Sequence, residues 1–473
     1  MKNNYDVIIV GAGPAGIFAA LELTNYNKNL AILLIDKGRL LEERHCPISR
    51  VGHCVRCQPC SIMSGWAGAG AFSDGKLTLS PEVGGRLTDY ITEEALKEYI
   101  DYADKLYLRF GANEEVYGLN NRKVDDLIYE ASRYNIKLVP CPVRHLGTDC
   151  SLEVLKGMYQ YLISETKIEF MPLTTVDDLL VTENETDKIV KGVMVTTSQG
   201  EQREITAPYV IAAPGRGGSL WLSEQAKKLS LKTENNEIDI GVRVEVPNSI
   251  MDHLTKELYE AKLVYYSDTF ENKVRSFCMN PSGIVSEEHY DGDIAVVNGH
   301  SYSNPQLRTT NTNFALLVST RFTEPFNQPI EYGKYLAKCA NMLTGGGIII
   351  QRLGDLLKGR RTDESRLKKS TTIPTLKSAV PGDLSFVLPQ RYLTSLTETL
   401  RAFDHLAPGL YSRNTLLYGV EAKFYSSKMK VKPNLETAIQ GLYTIGDGAG
   451  ITRGLIQASV TGIIVARDLQ QKL

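Results

Sequence analysis

The sequence predicts an α/β protein built on a parallel sheet, with a second α+β domain and a helical insertion. A short apolar run from Tyr5 to Val10, rich in β-branched residues, suits a strand that is buried on both faces. A helical pattern at Ile17 to Leu23 and a second apolar run at Leu30 to Ile35 complete a strand, helix and strand unit. The end of the chain, from Leu442 to Ala466, repeats the order of strand, glycine-rich turn and helix.

The composition is that of an ordinary globular protein. The chain has 473 residues, 42% of them hydrophobic and 23% charged, which is enough for two or three cores. A net charge of −2 gives no reason to expect nucleic acid as a partner. No apolar run reaches the roughly 18 residues that span a bilayer, and the N-terminus lacks a secretory pattern. We therefore expect a soluble, cytoplasmic protein with no membrane partner.

A glycine-rich turn joins the first strand to the first helix. Gly11, Gly13 and Gly16 have the G-x-G-x-x-G spacing of a Rossmann-like dinucleotide-binding turn. The first glycine permits the tight turn, the second a close approach of pyrophosphate, and the third close packing of helix on strand. The start of the helix also attracts the negative charge of phosphate. Asp36, at the end of the second strand, is placed to bind a ribose 2′-hydroxyl, which favours FAD or NAD over NADP.

Changes of pattern along the chain predict three regions. The period of two at Ile240 to Val246 opens a different region from the helical spacing that precedes it. We expect the second domain to form the wall of a substrate cleft. The predicted regions are a discontinuous nucleotide-binding domain (1–86, 141–237 and 419–473), a helical insertion (87–140) and a second, substrate domain (238–418).

The glycine turn and two later segments resemble flavoproteins of the glutathione-reductase superfamily, whose fingerprint often continues Pro-Ala-Gly, as here. Residues 441–450 (GLYTIGDGAG) resemble the superfamily's second FAD motif, in which the Asp contacts the ribityl or pyrophosphate region. Residues 209–216 (YVIAAPGR) resemble the strand and turn on the adenine side. The resemblance implies FAD as the cofactor. The candidate FAD-binding residues are Gly11, Gly13, Pro14, Ala15, Gly16, Asp36, Lys37, Gly68, Gly70, Ala71, Ala213, Gly446, Asp447 and Gly454.

Three further segments carry a closer resemblance. Residues 65–77 (GWAGAGAFSDGKL), 145–149 (HLGTD) and 419–425 (GVEAKFY) resemble a bacterial and archaeal family of FAD-dependent dehydrogenases. That family is distantly similar to geranylgeranyl reductases and to fumarate-reductase-like flavoproteins. We interpret the chain as an FAD-dependent oxidoreductase that acts on a carbon–carbon bond of a small organic substrate. The alternatives are a flavin-dependent monooxygenase, a flavoprotein that acts on RNA, and a non-catalytic flavin-binding protein.

Flavin-dependent dehydrogenation needs hydride transfer and usually a general acid or base. An arginine or lysine near the reacting carbon binds a substrate carboxylate or stabilises an enolate. The alternation of charges on a strand suits surface ion pairs or satisfied buried polar groups equally well. The candidate catalytic residues are Lys76, His145, Arg243, Glu245 and Lys423.

Four of the eight cysteines are clustered in the spacing C-x7-C-x2-C-x2-C: Cys46, Cys54, Cys57 and Cys60. Two consecutive x2 gaps let three thiolates converge on an iron–sulfur cluster, with Cys46 as the fourth ligand. A redox dithiol, unligated cysteines and a zinc site remain open alternatives. Because no second nucleotide-binding motif follows, we expect electrons from ferredoxin, from transiently bound NAD(P)H or from the substrate itself.

A basic stretch lies late in the second predicted domain. Asp363 and Glu364 balance it only in part. It is typical of a solvated loop, and a surface that docks an acidic ferredoxin or RNA is the alternative. No interleaved aromatic residues support RNA. The basic residues are Lys358, Arg360, Arg361, Arg366, Lys368 and Lys369.

Overall fold

The computed structural model describes the chain except for residues 1, 48–49, 51–54, 56, 74, 120–121, 184–186, 291–293, 303, 324 and 327. The chain divides into two compact units. The first unit spans Met1–Glu115, Arg144–Asn236 and Ser426–Leu473. The second unit spans Val116–Val143 and Glu237–Tyr425.

A five-stranded parallel sheet forms the centre of the first unit. Its strands are β1 (Val7–Val10), β2 (Ile32–Ile35), β6 (Glu169–Met171), β10 (Tyr209–Ala212) and β22 (Leu442–Thr444). They lie in the order β22, β10, β1, β2, β6, and all neighbours are parallel. Every residue of β1 and β2 is buried, as their apolar runs require. The carboxyl ends of these strands share one edge, which is where open α/β sheets bind ligands.

Helices pack on this sheet. The helices of the first unit are α1 (Pro14–Tyr26), α2 (Glu93–Arg109), α4 (Gly147–Glu165), α5 (Ser219–Lys228) and α11 (Leu455–Leu469). The first of these begins with a proline, a residue whose missing N–H costs nothing at a helix start. A Cβ built at Gly462 would lie 2.2 Å from the carbonyl oxygen of Ala15, so α11 packs unusually close to α1.

Smaller sheets complete the first unit. The strands β7 (Thr174–Glu183), β8 (Lys188–Thr197) and β9 (Gln202–Thr206) form an antiparallel sheet. The two-stranded pairs are β3 (Lys76–Thr78) with β5 (Val143–His145), and β11 (Thr233–Glu234) with β21 (Lys428–Met429).

The second unit has an eight-stranded sheet. In spatial order its strands are β19 (Val380–Pro381), β18 (Ile349–Arg352), β20 (Leu416–Lys423), β12 (Ile238–Pro247), β17 (Asn311–Thr320), β14 (Lys273–Asn280), β13 (Lys262–Tyr266) and β4 (Lys137–Val139). A separate antiparallel pair consists of β15 (Ile284–Tyr290) and β16 (Ile294–His300).

The helices of the second unit pack against the large sheet. Val242 and Val244 of β12 share a core there with apolar residues of the last helix, such as Leu400 and Phe403. The bounds are α3 (Arg122–Ser132), α6 (Asn248–Leu258), α7 (Pro329–Thr344), α8 (Leu353–Leu356), α9 (Glu364–Lys368) and α10 (Gln390–Leu406). The predicted α/β fold with a separate α+β unit is confirmed. Within the described ranges, no helix is both long and apolar enough to cross a membrane.

The segment 87–140, predicted as one helical insertion, belongs to both units. Leu96 and Ile100 of α2 lie in the core of the first unit. Val124 of α3 lies in the core of the second unit, and β4 adds an edge strand to its sheet. A helix must bury its apolar stripe, and these two helices bury theirs in different cores. Residues 419–425 also belong to the second unit, because β20 pairs with β12.

Candidate dinucleotide-binding site

Two glycines of the predicted fingerprint are required by close backbone contacts. Gly11 has a φ of 107°, and a Cβ built there would lie 2.1 Å from the carbonyl oxygen of Ala213. A Cβ at Gly16 would lie 2.0 Å from the carbonyl oxygen of Gly11. A side chain at Gly11 would therefore force the turn away from β10. A side chain at Gly16 would force α1 away from the turn. These are the tight turn and the close helix packing that the spacing predicted.

The surroundings of Gly13 are open, in contrast to the crowded surroundings of Gly11 and Gly16. Among the residues that the structure describes, and apart from the chain neighbours of Gly13, no atom lies within 4 Å of a Cβ built there, so the space beside Gly13 is open. The helix α1 begins at Pro14 without a side-chain cap, so its first N–H groups have no partner inside the helix. An open space next to such N–H groups suits a phosphate.

The carboxyl ends of β10 and β22 lie beside the start of α1. Gly446 has a φ of 72°, and a Cβ built there would be 3.1 Å from Cβ of Ala15. A Cβ at Gly448 would be 2.6 Å from the carbonyl oxygen of Gly215. The second predicted FAD motif therefore contacts both the first motif and the turn after β10.

Asp447 is the charged group of this second motif. Its Oδ1 accepts a hydrogen bond of 2.7 Å from the Thr452 hydroxyl, and its Oδ2 lies 3.5 Å from Nε of Arg216. Burial raises the pKa of Asp447, although Arg216 acts in the opposite direction. The helix α11 begins directly after Gly454, so its N-terminus also points toward this region.

Asp36 binds three backbone N–H groups. Its Oδ2 accepts from Ala12 at 2.9 Å, and its Oδ1 accepts from Gly38 and Gly65 at 2.8 Å each. A carboxylate has about four acceptor positions, so one remains for a ribose hydroxyl. The ribose contact stays a prediction. The neighbouring Lys37 donates to the carbonyl oxygen of Gly217 at 3.3 Å, at the turn after β10.

The glycine-rich segment from Gly65 to Phe72 lies on the fingerprint turn. A Cβ built at Gly68 would be 3.3 Å from Cα of Gly13, and one at Gly70 would be 2.8 Å from a methyl group of Leu455. The predicted ligand Ala71 is buried in the same short 3₁₀ helix, Gly68–Phe72. This segment therefore completes one wall beside the open space at Gly13.

The structure describes three of the four predicted iron–sulfur ligands. Cys46, Cys57 and Cys60 are half-buried, and Cys54 lies outside the described residues. Among the side chains that the structure describes, no three or more His, Cys, Asp or Glu are grouped to hold a metal. The four-cysteine cluster, which needs Cys54, stays a prediction.

Lys76 and His145 lie on adjacent strands of the first unit. Their strands β3 and β5 pair, and the N–H of Leu146 donates to the carbonyl oxygen of Gly75 at 3.1 Å. Both side chains are half-buried. Two polar groups from distant parts of the sequence are thus placed on adjacent strands.

Arg243 is fully buried in the second unit. It forms a bidentate ion pair with Glu421, at 2.9 Å and 3.2 Å. Its other N–H groups donate to Asn313 at 2.7 Å, to the carbonyl oxygen of Cys278 at 3.2 Å and to Asn298 at 3.5 Å. A guanidinium has five N–H donors, and these contacts use all of them. The predicted role of Arg243 in binding a substrate carboxylate does not fit this arrangement.

Glu245 and Lys423 belong to similar buried networks. Glu245 accepts from the Thr375 hydroxyl at 2.6 Å and from the Tyr418 hydroxyl, and burial together with Glu245 raises the pKa of Tyr418. Lys423 lies 2.9 Å from the Glu421 carboxylate. Both residues are buried with partners of their own unit, so the structure gives no support to their predicted catalytic roles.

Part of the basic stretch has a structural explanation. Asp355 is fully buried, and its carboxylate binds Arg352 at 2.9 Å and Arg360 at 2.8 Å, with Arg366 at 3.9 Å. Burial alone would raise the pKa of Asp355, but hydrogen bonds from Arg352, Arg360 and Thr362 lower it to about 2. Two of the six basic residues, Arg360 and Arg366, therefore form ion pairs with this buried carboxylate.

The geometry shows an α/β protein with a candidate dinucleotide-binding site in its first unit. Residues 237–424 match a family model described as "FAD-dependent protein, C-terminal domain-like". Over nearly its whole length, the chain is similar to a protein of Clostridium beijerinckii described as "Uncharacterized protein". The two are 27% identical over 489 residues, covering 98% of this chain and 80% of that protein.

Two solved structures are similar to this chain at a low level. Quinol fumarate reductase FrdA of E. coli, in a mutant form, is 14% identical with a TM-score of 0.42, over 99% of this chain and 70% of that one. A formate oxidase variant of Aspergillus oryzae is 13% identical with a TM-score of 0.45, over 100% and 98%. Similarity at this level carries no conclusion about the reaction of this chain.

Proposed function

We propose that this chain is an FAD-dependent oxidoreductase that binds FAD at the carboxyl edge of its parallel sheet. The observation that carries the proposal is the open space beside Gly13, next to the uncapped start of α1. It suits a pyrophosphate, and the required glycines Gly11 and Gly16 hold the turn in place. The match of residues 237–424 to a family of FAD-dependent proteins supports FAD rather than NAD.

Each contact that a bound FAD would need has a candidate in the first unit. The N–H groups at the start of α1 would hold the pyrophosphate, and the remaining acceptor position of Asp36 would hold the ribose. Asp447 and the start of α11 would hold the ribityl end. Bound FAD supplies hydride transfer or single-electron transfer. The glycines of the segment 65–72 would let the backbone approach the flavin ring.

We further propose that the substrate is a small organic molecule in which a carbon–carbon bond is oxidised or reduced. Such a reaction moves one proton at the carbon next to the one that exchanges hydride. Lys76 and His145 are the candidates to hold that proton, because both are half-buried polar groups on paired strands of the first unit. The N–H of the neighbouring Leu146 donates a hydrogen bond to the carbonyl oxygen of Gly75. This bond holds the two strands that carry Lys76 and His145 together.

The donor of electrons is best identified by reduction under anaerobic conditions. The absorbance of the bound flavin would be followed in a stopped-flow instrument after mixing with NADH, NADPH or reduced ferredoxin. We expect one of these donors to bleach the flavin within seconds. Bleaching by none of them, with or without candidate substrates, would favour the non-catalytic flavin-binding protein. Rapid reoxidation by oxygen with hydroxylation of a substrate would favour the monooxygenase, and dependence on added RNA would favour an RNA-modifying enzyme.

The cysteines at positions 46, 54, 57 and 60 are proposed to hold an iron–sulfur relay. Two x2 gaps support the convergence of three thiolates. Protein purified without oxygen should contain iron and acid-labile sulfide, and Cys57→Ser should lose both. Cys339→Ser, in the second unit, is the matched control and should retain both. Absence of iron and sulfide from the anaerobic wild-type protein, or the presence of zinc instead, would contradict the relay.

A further inference from the structure

A single arginine outside every predicted motif organises the glycine-rich segment. Arg44 is only 2% exposed. Its Nε and one terminal nitrogen donate hydrogen bonds of 2.7–2.9 Å, and the other terminal nitrogen donates a further one. The acceptors are the backbone carbonyl oxygens of Ser61, Ile62, Trp66 and Gly68.

Arg44 is a buried cation that donates to backbone carbonyls. Its guanidinium lies 4.8 Å from the ring centre of Phe72, and its hydrogen bonds go to neutral carbonyl groups. Burial lowers the pKa of Arg44 to about 10, although the charge of Asp36 acts to raise it, so the side chain remains charged at neutral pH. A buried charge is costly unless its donors are satisfied, and here the carbonyls of residues 61–68 accept from four of its five N–H donors.

That segment is the wall of the candidate dinucleotide site. Gly68, an acceptor of Arg44, is the residue whose built Cβ lies 3.3 Å from Cα of Gly13. Gly65 is also held, since its N–H donates to Asp36 and a Cβ there would lie 2.9 Å from Cδ of Arg44. Moving the Arg44 side chain would thus move the wall that faces the fingerprint turn.

We propose that Arg44 is a positioning residue for FAD, which sets the separation between Gly68 and Gly13 and thereby the affinity for the cofactor. The proposal rests on the proposed function of the site. Arg44 acts through backbone carbonyls and donates nothing to the cofactor itself. Its replacement should therefore weaken FAD binding even in protein that is folded.

The test uses full-length protein from which flavin has been removed, titrated with FAD while the quenching of flavin fluorescence is measured. Arg44→Met keeps the length of the side chain and removes its donors, and we expect it to raise the Kd for FAD at least tenfold. Arg44→Lys restores a charge and three donors, and we expect an intermediate Kd. Arg467→Met is the control, because Arg467 pairs with Glu22 at 2.8 Å near the far end of α11. Its Kd should stay within twofold of the wild-type value.

Thermal unfolding of the apoprotein separates positioning from folding. A variant with an unchanged Kd and a lowered melting temperature would make Arg44 merely structural and overturn the proposal. Should Arg44→Met fail to fold, Arg44→Lys carries the test, and a Kd equal to that of the wild type would overturn it. Wild-type protein that binds no FAD would overturn the proposed function as well, so the two failures are distinguishable.

Discussion

Oδ1 of Asp36 accepts a hydrogen bond of 2.8 Å from the backbone N–H of Gly65, which lies 29 residues further along the chain. The same oxygen also accepts from Gly38, and Oδ2 accepts from Ala12. One carboxylate therefore joins the end of β2, the fingerprint turn and the glycine-rich segment. This function is additional to the ribose contact that the sequence predicted.

Asp36→Asn should weaken FAD binding. An amide keeps one acceptor oxygen but places an NH₂ group against backbone N–H groups, and charge-assisted hydrogen bonds contribute about 1.5–3 kcal/mol. We expect the Kd for FAD to rise by about ten- to a hundredfold, measured by fluorescence titration. Asp6→Asn is the control, because Asp6 accepts from the N–H of Ala31 at 2.8 Å at the other end of the sheet. A similar rise in Kd for both variants would mean that Asp36 acts only on stability.

Substitution of Gly13 should affect FAD binding, whereas substitution of Gly16 should affect stability. A Cβ built at Gly13 meets no atom of the described residues within 4 Å beyond its chain neighbours, whereas one at Gly16 meets a backbone oxygen at 2.0 Å. Gly13→Val should therefore fold with nearly wild-type stability and bind no FAD, while Gly16→Val should be strongly destabilised. Urea unfolding of the apoproteins and the flavin content of the purified variants provide the comparison. Full flavin occupancy in Gly13→Val would place the cofactor elsewhere.

Arg243→Met should destabilise the second unit. Glu421 would lose its bidentate partner and keep Lys423, and breaking a buried ion pair costs about 3–5 kcal/mol. Lys97→Met breaks an exposed pair with Glu93 and should cost below about 1 kcal/mol. Urea unfolding measures both. A stable Arg243→Met protein that has lost turnover would restore Arg243 to the substrate-binding role that the sequence suggested.

Asp355 should make the free energy of unfolding depend on pH in the acidic range. The pKa of Asp355 is lowered to about 2 from an ordinary value of 3.8, so the unfolded chain takes up the proton first. The ionised Asp355 carboxylate stabilises the folded protein by about 2 kcal/mol. This stabilisation is complete above pH 3.8 and is lost as the pH falls toward 2. Urea unfolding of the wild type and Asp355→Asn should differ by a constant amount at pH 5 and 6 and by less at pH 3. A difference that does not change with pH would contradict the assignment.

Local features of the sequence predicted the core of the first unit. The strands β1 and β2 follow from uninterrupted apolar runs, and the contacts of Gly11 and Gly16 follow from the fingerprint spacing. The meeting of Gly446 with Ala15 follows from the order of parallel strands, whose carboxyl ends share one edge. These features are short-range or topological, and a single sequence contains them.

Long-range partners were not predictable in the same way. Arg44 carries no signal, because its acceptors are backbone carbonyls, which every residue has. Arg243 and Glu421 are 178 residues apart, and alternation on a strand does not say whether a charge is buried. The two helices of the segment 87–140 have similar amphipathic patterns, so nothing in the sequence shows that they serve different cores.

We propose that the first unit binds FAD without a covalent bond, and release of the cofactor by acid tests this most directly. Natively purified protein would be precipitated with acid, and the supernatant would be analysed by chromatography and mass spectrometry. We expect about one FAD per chain in the supernatant and a colourless pellet. A colourless native protein, a yellow pellet, or a nucleotide other than FAD in the supernatant would contradict the claim.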